Sequence, residues 1–323
     1  MRYLVSLLSV AILIGSAVVA HVENGERNAP TLSPDEVVQL LKERAKPFDN
    51  FKIDLALTGR NVIPPRTWAR ERFGMTMEPH PEVEIKYEAR KTLMAKGTQV
   101  TFEKEITSQK PSMEGFFISK SMKWSNAAGH IRELSSAGNE SILSIAPLET
   151  ATNSNIGTSS SSHVLLAMGV GIGRIIESIE SIQHDPNGDM TVKGTVFFRG
   201  GKNPCTMRLN RDYFPLHILI VVAPNESYEE TYEMHIDEVS KINGHWYGKA
   251  GKFLYKQQTR MPNQSLRERI FADYAYEVSD IKLSVSDEEH ERFASIPITS
   301  GMQVMNRLPE PKPHPLPDLP PVQ

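Results

Sequence analysis

Cysteine is almost absent from this chain: Cys205 stands alone among 323 residues. One thiol excludes an internal disulfide, so stability must rest on burial and hydrogen bonding even in an oxidising compartment. No run of one charge sign stands out either. Lys and Arg number 36 against 39 Asp and Glu, a formal net charge of −3, which gives no electrostatic reason to expect nucleic acid. Arg66, Arg70 and Arg72 lie close together, but Glu71 and Glu78 sit among them and the cluster reads as a solvated loop.

Catalytic motifs are missing too. Glu289-His290-Glu291 has one histidine where a metalloprotease needs two, a helical turn apart. No Gly-x-Ser-x-Gly elbow is present. Ser279-x-x-Lys282 falls in an alternating stretch, where positions three apart point to opposite faces of a strand. The glycines at Gly169, Gly171 and Gly173 have no strand before them and no Lys-Ser/Thr after them, as a phosphate loop would. Asp185, Asn187 and Asp189 have calcium-like spacing without the expected later glutamate and read as a plain turn. The 10 histidines include no close pair, so a metal site would need assembly from distant strands. Cys205, within Asn203-Pro204-Cys205-Thr206, reads as part of a turn entering a strand. The sequence therefore assigns no catalytic residue, no metal ligand and no cofactor.

What is present begins with a secretory-type start. Met1-Arg2-Tyr3 is basic, Leu4 to Val19 is almost wholly apolar, and Val18-Val19-Ala20 offers small side chains at a cleavage site. This predicts a signal peptide over 1–20, cut after Ala20. The competing reading is a retained membrane anchor, since the run is only slightly short of a span. No cysteine directly follows the cut for lipid attachment. The expectation is a soluble periplasmic or envelope protein with no integral span after cleavage.

Residues 21–32 are polar and read as disordered. Ser33-Pro34-Asp35-Glu36 begins a helix, with Ser33 as cap, Pro34 at the first turn and acids at the positive end of the dipole; Pro47 stops it. Period-two patterns follow: Phe51, Ile53, Leu55 and Leu57, then Val83, Ile85, Tyr87 and Ala89. Such alternation means an antiparallel sheet with one wet face. Residues 62–81, with Pro64-Pro65 and Pro79, form a long excursion between strands. A Ser/Thr/Asn-rich loop leads to a helical insertion over 163–182, capped by Ser162 and without charge from Val164 until Arg174; Gly169, Gly171 and Gly173 interrupt it, marking either a close approach to another backbone or a place where the helix bends or breaks. Strands then resume. Met190, Val192, Val196 and Phe198 share a face, Pro215 to Ala223 reads as a central strand covered on both sides, and Tyr228 to Ile242 alternates with acids outward. From 309 to 323 proline recurs in an extended tail.

Two stretches carry a family resemblance. Ile236 to Trp246, with its Asn243-Gly244 turn, and the run Tyr276 to Ser284 followed by Phe293 and Ile296 to Val304 resemble late strands of the outer-membrane lipoprotein-sorting carrier (LolA/LolB-like) superfamily. No arginine here matches that family's acyl-contacting arginine. The resemblance implies an α+β domain over 33–308: a strongly curved antiparallel sheet, or half-barrel, with helices covering the concave face. It also implies a lipid or lipoprotein acyl chain as partner.

The expected function is an exported binding protein holding an acyl chain in that apolar concavity. The expected lining is Leu165, Leu166, Met168, Ile172, Ile176, Met190, Val192, Val196, Phe198 and Met234. The alternative is a structural or regulatory envelope protein that binds another protein and carries no lipid.

Overall fold

The computed structural model describes residues 32–63, 65–66, 70–72, 75–77, 79–115, 120–126, 130–137, 140–147, 158–225, 227–260, 266–298 and 302–306. The predicted signal, nearly all of 21–32 and the proline-rich tail lie outside them. Helix α1 (Pro34–Ala45) forms where the cap and apolar stripe predict it, and a 3-10 turn (Lys46–Asp49) ends it at Pro47. Two meanders then build one sheet. The first runs through β1 (Asn50–Ile63), β4 (Val83–Lys96), β5 (Gln99–Pro111), β6 (Ser121–Ser125), β7 (His130–Ala137) and β8 (Glu140–Pro147). The second runs through β9 (Ile176–His184), β10 (Met190–Phe198), β11 (Gly201–Leu209), β12 (Pro215–Asn225), β13 (Tyr228–Ile242), β14 (His245–Arg260) and β15 (Leu266–Leu283).

Pairing of β1 with both β4 and β15 fuses the halves. A last strand, β16 (Gln303–Asn306), adds parallel to β8. The result is a single curved 14-stranded sheet with free ends at β9 and β16, not a closed barrel. Within the excursion, β2 (Arg70–Arg72) and β3 (Met75–Met77) make a separate two-stranded ribbon. No described helix is long and apolar enough to cross a membrane.

One face of the sheet is buried. Phe51, Ile53, Leu55 and Leu57 stand in register with Ala95, Leu93, Lys91 and Ala89 on β4, and all eight are buried. The rows continue through Met207, Ile218, Met234 and Phe253 in the second meander. Pro215 to Ala223 is not covered on both sides, however: His217, Leu219 and Val221, on its other face, are half-exposed.

The predicted 163–182 helix is corrected most. Helix α2 spans Thr158–Ala167, so Ser162 lies inside it and not at its cap. Gly169, at φ +76, breaks the helix; a Cβ there would meet Ile236 and Phe214 at 2.8 and 2.9 Å. A 3-10 turn (Gly171–Arg174) follows, and Gly173 lets it approach the Leu41 carbonyl of α1. From Ile176 the chain is strand β9. Its isoleucines mimic a helix because of two β-bulges. Ile176, Ile179 and Ile182 oppose Val196, Gly194 and Val192, so three residues on β9 answer two on β10, twice over.

Candidate functional site

All ten expected lining residues are buried, spread along the inward face of the second meander and the segment that packs on it. Leu165 and Leu166 lie in α2, Met168 just beyond it, Ile172 in the 3-10 turn, and Ile176 on β9. Met190, Val192, Val196 and Phe198 occupy the buried face of β10, and Met234 that of β13. The sheet holds the end of α2 by donating to its last carbonyls. Tyr276 Oη bonds the Ala167 oxygen at 2.6 Å, and the Gly248 amide bonds that of Met168 at 2.8 Å. Those carbonyls have no partner inside the helix.

Polar groups that the sequence analysis did not single out interrupt this apolar face. On β4 the inward positions run Val83, Ile85, Tyr87, Ala89, Lys91, Leu93 and Ala95, so Lys91 occupies a core position. Its partner across β5 is Lys104, which lies between the inward-facing Phe102 and Ile106. The two ammonium groups are therefore cross-strand neighbours. Lys91 lies over the Phe102 ring at 4.6 Å, and Lys104 over the Tyr87 ring at 4.3 Å. Burial, with Lys104 adding to it, pulls Lys91 down from 10.5 to about 7. Burial pulls Lys104 down to about 8. Taking a charge out of water disfavours the charged form.

Opposite them, α2 carries His163 into a nest of rings. Phe253 stacks on it at 5.0 Å, and Tyr232, Phe198 and Tyr255 lie at 5.4, 6.2 and 6.3 Å. Burial holds its imidazole far below the usual range, at about 3, with Lys91 and Arg199 pushing the same way across space. The ring is neutral at pH 7, and its buried Nε2 makes no hydrogen bond. Lys91 thus acts on His163 from the first meander while the aromatic cage comes from the second.

A third polar group closes the site. Arg199 and Gly200, at φ +53 and +79, form the two-residue turn between β10 and β11, the geometry that suits a hairpin's twist. Asn203 clamps this turn by donating to the Phe198 and Gly201 carbonyls at 2.7 and 2.9 Å. Arg199 then reaches Tyr232 Oη at 2.7 Å and the Glu230 carboxylate at 3.5 Å. Buried Glu230 also accepts from the Tyr228 and Tyr232 hydroxyls at 2.5 and 2.6 Å. Burial and this carboxylate push Tyr232 well above its ordinary range. The expectation that acids of Tyr228 to Ile242 all face outward fails at Glu230, which is in phase with inward-facing Tyr228, Tyr232 and Met234.

The arrangement is an apolar layer with two lysines and a bare imidazole nitrogen in it. It can meet an amphipathic anion with both kinds of surface at once. Cys205 is different: it sits in β11, not in a turn, and burial pushes its thiol up to about 12, which disfavours the nucleophilic thiolate. On the opposite face a groove of about 640 Å³ crosses β14, β15, β1, β4 and β5. There Arg60 is bonded to Asp273 at 2.6 Å and lies 3.5 Å from Glu84. No family model matches the chain, and no curated protein matches it at a significant level.

Proposed function

We propose that the chain is an exported carrier or sensor that holds an acyl chain bearing an acidic group in the concavity of its sheet. In this reading α1, α2 and the 3-10 turn at 171–174 occupy the concave side and give way to the ligand. The acyl chain then replaces their contacts with Met190, Val192, Val196 and Met234, gaining about 0.8 kcal/mol per CH₂ buried. Gly169 is the place where that segment bends.

The observation that carries the reading is the cross-strand pair Lys91 and Lys104, set among the apolar side chains of β4 and β5. Two like charges side by side on this face attract an anion. An arriving carboxylate or phosphate adds a charge-assisted hydrogen bond to either ammonium, and the His163 Nε2 offers a further polar contact. A charged hydrogen bond contributes about 1.5–3 kcal/mol, or roughly 10–100-fold in affinity.

The test compares a fluorescent long-chain fatty acid with the alcohol of the same length. The acid should bind roughly 10–100-fold more tightly. The double variant Lys91→Met/Lys104→Met should lose that preference while still binding the alcohol. Equal affinity for acid and alcohol in the unaltered protein would remove the role given to the lysines. Uptake of neither would end the carrier reading.

A further inference from the structure

The outer face of the sheet carries a second constellation, independent of the buried one. His217 on β12 and His235 on β13 are direct cross-strand partners, with ring centroids 4.4 Å apart. Glu233 lies two residues before His235, so its side chain emerges on the same face. One of its oxygens, Oε1, sits 3.1 Å from His217 Nε2 and 2.9 Å from His235 Nε2. One donor atom from each residue falls within 4.8 Å of the others. The histidines are not close in sequence, and the site is assembled across two strands as expected, but these are the neighbouring strands of the β12–β13 hairpin.

From this convergence we propose that His217, Glu233 and His235 form a binding site for a divalent transition-metal ion of the Zn²⁺ type. Tetrahedral zinc with ligand bonds of 2.0–2.1 Å needs donor atoms about 3.3 Å apart, and two of the three separations are already close to that. Two imidazoles with one carboxylate are a ligand set zinc accepts, with the fourth position left for water or an anion. Nitrogen-rich sites of this kind exclude Mg²⁺ and Ca²⁺, which prefer all-oxygen shells.

The strands supply rigidity, since all three ligands stand on adjacent, fully paired β-strands. The side chains of His217 and Glu233 are 26% and 29% exposed and that of His235 51%, so the ion enters directly from solvent. Arg208 and Lys252 continue the same row on either side. Their positive charge favours an anion, such as a carboxylate or phosphate, as the fourth ligand. A bound ion cross-links β12 to β13 on the face opposite the buried one.

The untagged protein, stripped with a chelator, should be titrated with Zn²⁺ by calorimetry. The expected result is saturation at one ion per chain. His217→Ala and His235→Ala should each weaken binding by at least the roughly 10–100-fold that loss of an outer-shell partner brings. His245→Ala, at the start of β14 and well away from the site along the strand, should bind as the unaltered protein does. Circular dichroism checks that each variant is folded, and Zn²⁺ should raise the melting temperature of the unaltered protein but not of the His217→Ala/His235→Ala double variant. No saturable binding, or equal affinity across all these variants, would overturn the proposal.

Discussion

Replacing Lys91 by Met should make the protein more stable, and most so at low pH. The ammonium of Lys91 is held at about 7 in the fold against 10.5 ordinarily, and that drop corresponds to about 5 kcal/mol at face value. Local relaxation and water penetration reduce the net gain below that, to on the order of the 1–4 kcal/mol seen when a buried ion pair is replaced by apolar side chains. Met keeps the length of the aliphatic stem over the Phe102 ring. The sign follows from proton counting. Between pH 7 and 10.5 the unfolded lysine holds a proton that the folded one has lost, so unaltered protein gains stability as pH rises through that window. Below pH 7 both states are protonated and the penalty is fully present. Urea unfolding at pH 6, 8 and 9.5 should show the Lys91→Met variant well ahead at pH 6, with most of the lead gone by pH 9.5. A variant no more stable at pH 6, or a lead that stays constant with pH, would refute the assignment of Lys91 to a desolvated position.

Other outcomes follow from the same packing. Gly169→Ala combines positive φ with collision against Ile236 and Phe214 and should cost about 2–4 kcal/mol in thermal or urea unfolding. Glu230→Leu leaves Arg199 and two tyrosine hydroxyls without their buried acceptor and should destabilise by about 3–5 kcal/mol. Tyr276→Phe frees the Ala167 carbonyl at the end of α2, a loss of about 1–2 kcal/mol that should also speed amide exchange around 163–170. Cys205, buried with its thiol at about 12, should resist a thiol-specific chromogenic reagent until the protein is unfolded, then react as one equivalent.

Much of this architecture is written locally. The Ser33-Pro34 start and Pro47 stop delimit α1, and the alternation in β1 and β4 shows which side chains face the core. Helix α2 and β9 show where local pattern misleads. Ile176, Ile179 and Ile182 are three apart, which is helical spacing in an ideal chain, yet bulges against β10 produce the same spacing in a strand. A bulge is a property of the pair, invisible in either strand alone. The site itself left a fainter trace. Lys91 and Lys104 fall in phase with Ala89, Leu93, Phe102 and Ile106, so a charged residue at a core position was readable once the alternation was carried past Ala89. Glu230 broke phase in the same way among Tyr228, Tyr232 and Met234. That Lys91 neighbours Lys104, that His163 meets the rings of β10, β13 and β14, and that His217 meets His235 depend on strand register and on the course of α2, which only the folded chain supplies.

Native mass spectrometry of protein purified from its own host should reveal a population carrying extra mass that matches acidic, acyl-bearing lipid, released on unfolding and diminished in the Lys91→Met/Lys104→Met variant. A protein that emerges ligand-free at every charge state, or that carries only neutral lipid equally in both forms, would contradict the carrier reading.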